Sequence, residues 1–176
     1  MSVNYIIGYI LLTISVLCHS APPYEILRSC IDLKPKTSNI VMKNIDNGTY
    51  SAQENGGCSN QFEINFENSL FGSVNCKDIN YLIINGKKII INSAINMSVN
   101  PSVKPTYILP DSSQWYKIDL ENKSFLCING PISDTGATAA IGQYFIIENA
   151  FSKKEIPIIY YYFFNKDVQS ITDPYY

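Results

Sequence analysis

Histidine, arginine and tryptophan each occur once in the 176 residues, as His19, Arg28 and Trp115. A lone arginine beside 12 lysines, a pI near 5.3 and a formal net charge of −2 argue against nucleic acid as the main ligand, because phosphate binding leans on clustered Arg and Lys. Charged residues make up only 16% of the chain, low for a cytosolic protein. No apolar run reaches the ~20 residues of a membrane-spanning helix, so no membrane span is expected. CxxC spacing is absent, and Asn55-Gly-Gly57 is followed by neither a Walker lysine nor a helical pattern. Thiol-ligated metal and a phosphate-cradling loop are therefore not expected, and the sequence calls for no cofactor.

Residues 5–17 form an uncharged apolar run of 13 residues, the length of a signal-peptide core, followed by Cys18-His19-Ser20 and Pro22-Pro23. Cleavage is expected after Ser20, leaving residues 21–176 as one secreted, extracellular domain. That cut removes His19. Without histidine, Ser-His-Asp and Cys-His catalysis, His-ligated zinc and His-dependent ribonuclease chemistry each lose an essential group. The reading therefore leans away from an enzyme.

Four cysteines remain: Cys30, Cys58, Cys76 and Cys127. An even count in an exported chain reads as two disulfides, with three connectivities open. The favoured one closes a local loop with Cys58–Cys76 and ties the start of the domain to its later strands with Cys30–Cys127. Sequons at Asn47, Asn96 and Asn122 mark candidate glycans in a eukaryotic secretory pathway.

The segment opening at Pro22-Pro23 places Ile26, Leu27, Cys30 and Ile31 on one side at helical spacing, a short helix. Strand patterns follow. Residues 39–45, 61–67, 106–109, 114–120, 123–128, 143–150 and 156–164 read as strands, and residues 61–67 alternate Phe62, Ile64 and Phe66 with polar neighbours. Two β-branched runs across residues 81–91, joined by Asn85-Gly86, predict a hairpin with a type I′ turn. About ten short strands in one domain favour a mainly β fold, an antiparallel sandwich or barrel with a short N-terminal helix.

Several side chains are candidates for function. Asp119 and Glu121, two apart on an expected strand, point the same way and could serve as an acid–base pair, but a solvated strand face is the better reading. Trp115-Tyr116 follows a loop and suits stacking on a sugar or a partner, with a core position as the plainer alternative. Tyr160-Tyr-Tyr-Phe-Phe164 cannot bury every ring on one sheet face. Either Tyr160, Tyr161 and Tyr162 contribute to an outward strip for carbohydrate or protein, or both faces are covered. Lys87-Lys88 and Lys153-Lys154 lie at or beside turns, where lysines keep hairpins soluble more often than they bind phosphate. Asp134-Thr-Gly, the triplet of aspartic proteases, occurs once and lacks a second lobe.

The stretches Thr106-Tyr-Ile-Leu, Phe125-Leu-Cys-Ile and Ser133-Asp-Thr-Gly-Ala137 resemble small secreted effectors of powdery mildew fungi with a ribonuclease-like fold. Here Asp134-Thr-Gly-Ala stands where many of them carry His-Thr-Gly-Ala, and the aromatic-x-Cys motif after the signal is missing. The resemblance implies an α+β ribonuclease-like scaffold without catalytic power. Together these readings lead to an exported binding protein, an effector or virulence factor that engages a host protein or a cell-wall or surface carbohydrate. A carbohydrate-binding module or lectin is the second reading, and a carboxylate-dependent hydrolase the third.

Overall fold

The computed structural model describes residues 20–52, 56–134, 136 and 140–164. The signal segment up to His19 lies outside the described residues. So do Thr135 and Ala137 of the effector-like loop.

Helix α1 (Tyr24–Asp32) starts from Pro23, whose fixed φ suits a helix entrance, and ends at Leu33 in the left-handed conformation (φ 52°). Its buried residues Ile26, Ser29 and Cys30 face the sheet, while Arg28 and Asp32 form an ion pair at 3.0 Å on the flank. The strands are β1 (Ile40–Asn44), β2 (Thr49–Ser51), β3 (Cys58–Phe66), β4 (Ser69–Cys76), β5 (Ile79–Ile84), β6 (Lys87–Ile90), β7 (Ile95–Asn96), β8 (Gln114–Leu120), β9 (Lys123–Pro131), β10 (Gly142–Glu148) and β11 (Ile158–Tyr162). They form a six-stranded sheet in the order β1-β8-β9-β10-β11-β7 and a five-stranded meander, β2-β3-β4-β5-β6. Every pairing is antiparallel except β11 with β7.

The result is a sandwich, with neither sheet closed into a barrel, and α1 adds a third layer. One core lies between the sheets, where Phe62, Ile64, Phe71 and Leu82 of the meander meet Trp115, Leu126, Phe145 and Tyr161 of the six-stranded sheet. A second core lies on the other face of that larger sheet, where Ile26 and Cys30 of α1 pack on Ile118, Phe125, Ile146, Tyr160 and Tyr162. The six-stranded sheet is thus the middle layer, and its strands bury both sets of alternating side chains.

The disulfides follow the favoured pairing. Cys30–Cys127 joins α1 to β9 with Cα atoms 5.7 Å apart, and Cys58–Cys76 joins the paired strands β3 and β4. In the chain-entropy picture the first bridge, closing a loop of 97 residues, stabilises the fold by about 4.7 kcal/mol; the second, closing 18, by about 3 kcal/mol.

The Asn85-Gly86 hairpin is present, with φ of 51° and 76° and Ile84 paired to Lys87. The β3–β4 and β4–β5 turns use the same left-handed pair without glycine, at Glu67-Asn68 and Lys77-Asp78. Lacking an Asn-Gly signal, they hid strand β4 from the sequence reading. Residues 106–109 are not a strand. Gln143, 1% exposed, takes the place of a strand neighbour: its Oε1 accepts from the Thr106 amide, and its Nε2 donates to Thr106 Oγ1 and to the Tyr107 and Pro131 carbonyls. A buried side chain satisfies this backbone where a ladder was expected.

Candidate functional site

The aromatic candidates lie inside the molecule. Trp115 is 0% exposed and packs against Phe62 at 5.8 Å between centroids; its Nε1 has no hydrogen-bond partner among the described residues, so the ring serves as volume. Tyr160 and Tyr162 point to the helix side, Tyr161 and Phe163 to the sandwich core, all buried. In the full chain Tyr160 donates to the carbonyl of Ser20, the residue just before the expected cleavage point, at 2.9 Å, and Tyr161 donates to the Lys104 carbonyl at 3.4 Å. Tyr116 is half-buried against the helix-side cluster. The outward aromatic strip is therefore corrected to a strand covered on both faces, because α1 and the meander each supply a layer. Burial raises the phenols of Tyr160 and Tyr161 above their ordinary range and pushes Tyr162 up to about 12.

Asp119 and Glu121 do not form a pair. Strand β8 ends at Leu120, and Glu121 occupies the following turn with φ of 54°. Asp119 accepts a hydrogen bond from Ser124 Oγ and lies 3.8 Å from Lys117 Nζ. Of the sequon asparagines, Asn47 and Asn122 are exposed. Asn96 is different: its Nδ2, the atom a glycan would occupy, donates to the Pro101 carbonyl at 3.1 Å and the Val103 carbonyl at 2.9 Å. It clamps the loop after β7.

What the structure brings together is the two lysine pairs. The β5–β6 turn meets the loop between β10 and β11, where Asn85 Nδ2 donates to the carbonyls of Ala150 (2.9 Å) and Ser152 (3.0 Å). A cleft of 760 Å³ opens where they join, lined by Lys87 and Lys88 from one side and Lys153 and Lys154 from the other. Ser152 shapes the second side, its Oγ accepting from the amides of Lys154 (3.3 Å) and Glu155 (3.2 Å). All four lysines are exposed, and none is ion-paired among the described residues. Lys117 and Lys123, by contrast, are held by Glu67 at 3.1 Å and Glu148 at 2.9 Å. Glu155 is the single carboxylate on the cleft wall among the described residues.

The charge is spread out. Lys87 pairs with Ile84, which faces the core, so it stands at the sandwich rim; its neighbour Lys88 falls on the outer face of the meander. There the Lys88 ammonium lies 3.4 Å from Cys76 Sγ, while Lys153 Nζ donates to the Asn68 carbonyl at 3.2 Å. Among the described residues the cleft walls carry aliphatic and polar side chains and no aromatic ring, and Ile156 is 83% exposed. Sequence showed each lysine pair beside its own turn. Their meeting depends on a contact spanning 65 residues, which no local pattern encodes.

Searches against family models, curated proteins and solved structures find no match to this chain.

Proposed function

We propose that this chain is an exported protein that engages a host molecule by binding, without turnover, and that the lysine-lined cleft is its contact surface. The observation that carries the reading is the display of four lysines without carboxylate partners among the described residues, two from the start of β6 and two from the β10–β11 loop that Asn85 ties to it. Two disulfides suit an oxidising compartment and hold the scaffold under those loops. The host-directed part rests on the sequence resemblance to secreted fungal effectors alone; the two-sheet sandwich departs from the α+β ribonuclease-like scaffold that resemblance implies. With Trp115 and the β11 tyrosines in the core, a lectin that stacks sugars on those rings has no platform, so the cleft replaces them as the binding candidate.

The test is binding of the labelled, secreted chain to intact cultured animal and plant cells. Saturable binding should weaken by at least roughly tenfold in Lys153→Glu/Lys154→Glu, since charge reversal meets the same partner with repulsion. Unchanged binding by that variant would sink the cleft as the contact surface. Steady conversion of the captured molecule to product would sink the non-catalytic part.

A further inference from the structure

The chemistry of the cleft narrows the ligand class, resting on the binding reading above. We propose that the cleft takes an acidic polysaccharide, a sugar chain carrying repeated sulfate or carboxylate groups. Three observations converge on it. The four lysines are spread from the Cys58–Cys76 disulfide across the rim to the β3–β4 turn, a layout that matches several anions along a chain better than one phosphate. All the cationic heads are ammonium groups; the lone arginine, Arg28, is on α1 and engaged by Asp32. Ammonium groups act as point charges that suit densely charged, freely rotating anions, whereas bidentate recognition of a fixed oxyanion uses guanidinium. Among the described residues the cleft also has no aromatic side chain, so they offer no surface for stacking the bases of a single strand or the face of a neutral sugar.

In a protein of net charge −2, four lysines against one carboxylate along this cleft and its rim give that side of the molecule a local excess of positive charge. Elsewhere Lys117 and Lys123 are ion-paired and Lys36 lies 4.0 Å from Asp32, while Lys34, Lys43, Lys77 and Lys104 stand apart from one another in the chain without an ion pair among the described residues. Binding of this kind releases condensed counterions from the polymer, so affinity falls steeply with salt.

The experiment uses the full secreted chain and measures affinity for heparin, polygalacturonate, chitin fragments and duplex DNA. Heparin and polygalacturonate separate sulfate from carboxylate as the recognised group. Binding to at least one of them is expected, weakened at least roughly tenfold when NaCl rises from about 0.1 M to about 0.3 M. Lys87→Ala/Lys88→Ala and Lys153→Ala/Lys154→Ala should each weaken it several-fold, and Lys34→Ala/Lys36→Ala, beyond the end of α1, should leave it unchanged. DNA bound as tightly as the better polysaccharide overturns the proposal, as does equal loss in the Lys34/Lys36 control. If neither polysaccharide binds while cell binding still depends on Lys153 and Lys154, the ligand class is wrong and the binding reading stands. If cell binding is also indifferent to those lysines, both fail. Circular dichroism of each variant separates lost charge from lost fold.

Discussion

Strand β10 buries Phe145, Ile146 and Ile147 in succession, whereas β3 buries Phe62 and Ile64 and leaves Glu63 and Asn65 between and after them more exposed. Both are antiparallel strands with partners on two sides. The difference lies in what covers them. β10 belongs to the middle layer, with α1 on one face and the meander on the other; on the outer face of the meander Val74 and Ile83 are buried but belong to neither core cluster, and β3 carries Glu63 and Asn65 there. A strand covered on both faces can bury successive side chains, whereas a strand with one solvated face alternates; β4 and β5, the inner strands of the meander, bury residues 71–74 and 82–84 in succession and follow β10, and β3 follows the alternating pattern. The same rule explains Ile159 through Phe163: five apolar or aromatic side chains in a row, sorted alternately into two cores.

Adjacent alanine substitutions should expose this contrast most sharply. In β10, Phe145→Ala should cost about 3–5 kcal/mol and Ile146→Ala about 2–5 kcal/mol, although the two side chains face opposite cores. In β3, Ile64→Ala should cost about 2–5 kcal/mol, but its exposed neighbour Asn65→Ala should stay within about 0.5 kcal/mol of wild type. Urea unfolding followed by the fluorescence of the single Trp115 gives all four values. A near-neutral Ile146→Ala would mean that α1 does not form a second core with this sheet.

The disulfides make a smaller comparison between the same regions. Replacing Cys30 and Cys127 by alanine should cost about 4.7 kcal/mol, and replacing Cys58 and Cys76 about 3 kcal/mol, since the loops differ so much in length. The first pair also fixes α1 to the sheet, and Asn129 Nδ2 adds a bond to the Cys30 carbonyl at 3.2 Å. Loss of that bridge should therefore raise hydrogen exchange in α1, while loss of the second should raise it in β3 and β4. Equal thermal shifts with no regional difference in exchange would break the comparison.

Much of this architecture was legible in the sequence. The Asn-Gly hairpin, the alternation of residues 61–67 and the helix after Pro22-Pro23 rest on local periodicity and turn chemistry, which a single segment carries. The disulfide pairing could be favoured because one pair sits close in sequence and the other brackets the domain. Strand β4 was missed because its flanking turns place Glu, Asn, Lys and Asp at positive φ, where glycine is the usual marker. Residues 106–109 carry a strand-like pattern, but the partner of the Thr106 amide is a side chain 37 residues away and not a neighbouring strand. The lysine cleft was invisible for the same reason: its halves meet only through tertiary contacts. For Tyr160 to Tyr162 the run itself demanded two buried faces or one exposed strip, and only the position of α1 decides between them.

The tyrosines of the middle layer give the mildest test, through proton linkage. In the unfolded chain their phenols ionise near pH 10; in the folded chain burial raises Tyr144, Tyr160 and Tyr161 and pushes Tyr162 up to about 12. Between those values the folded state holds more protons than the unfolded state. The stabilising contribution is thus complete below pH 10 and is lost as pH rises through the folded values. Unfolding midpoints should be flat on the acid side of pH 10 and fall steadily on the alkaline side, with phenolate absorbance appearing as the chain unfolds. Tyr162→Phe keeps the ring and removes the ionisable group, so its alkaline decline should be shallower than that of wild type. Phenolate absorbance that titrates fully near pH 10 while the fold persists would place these hydroxyls in water, and with them one face of the sheet that the helix is held to cover.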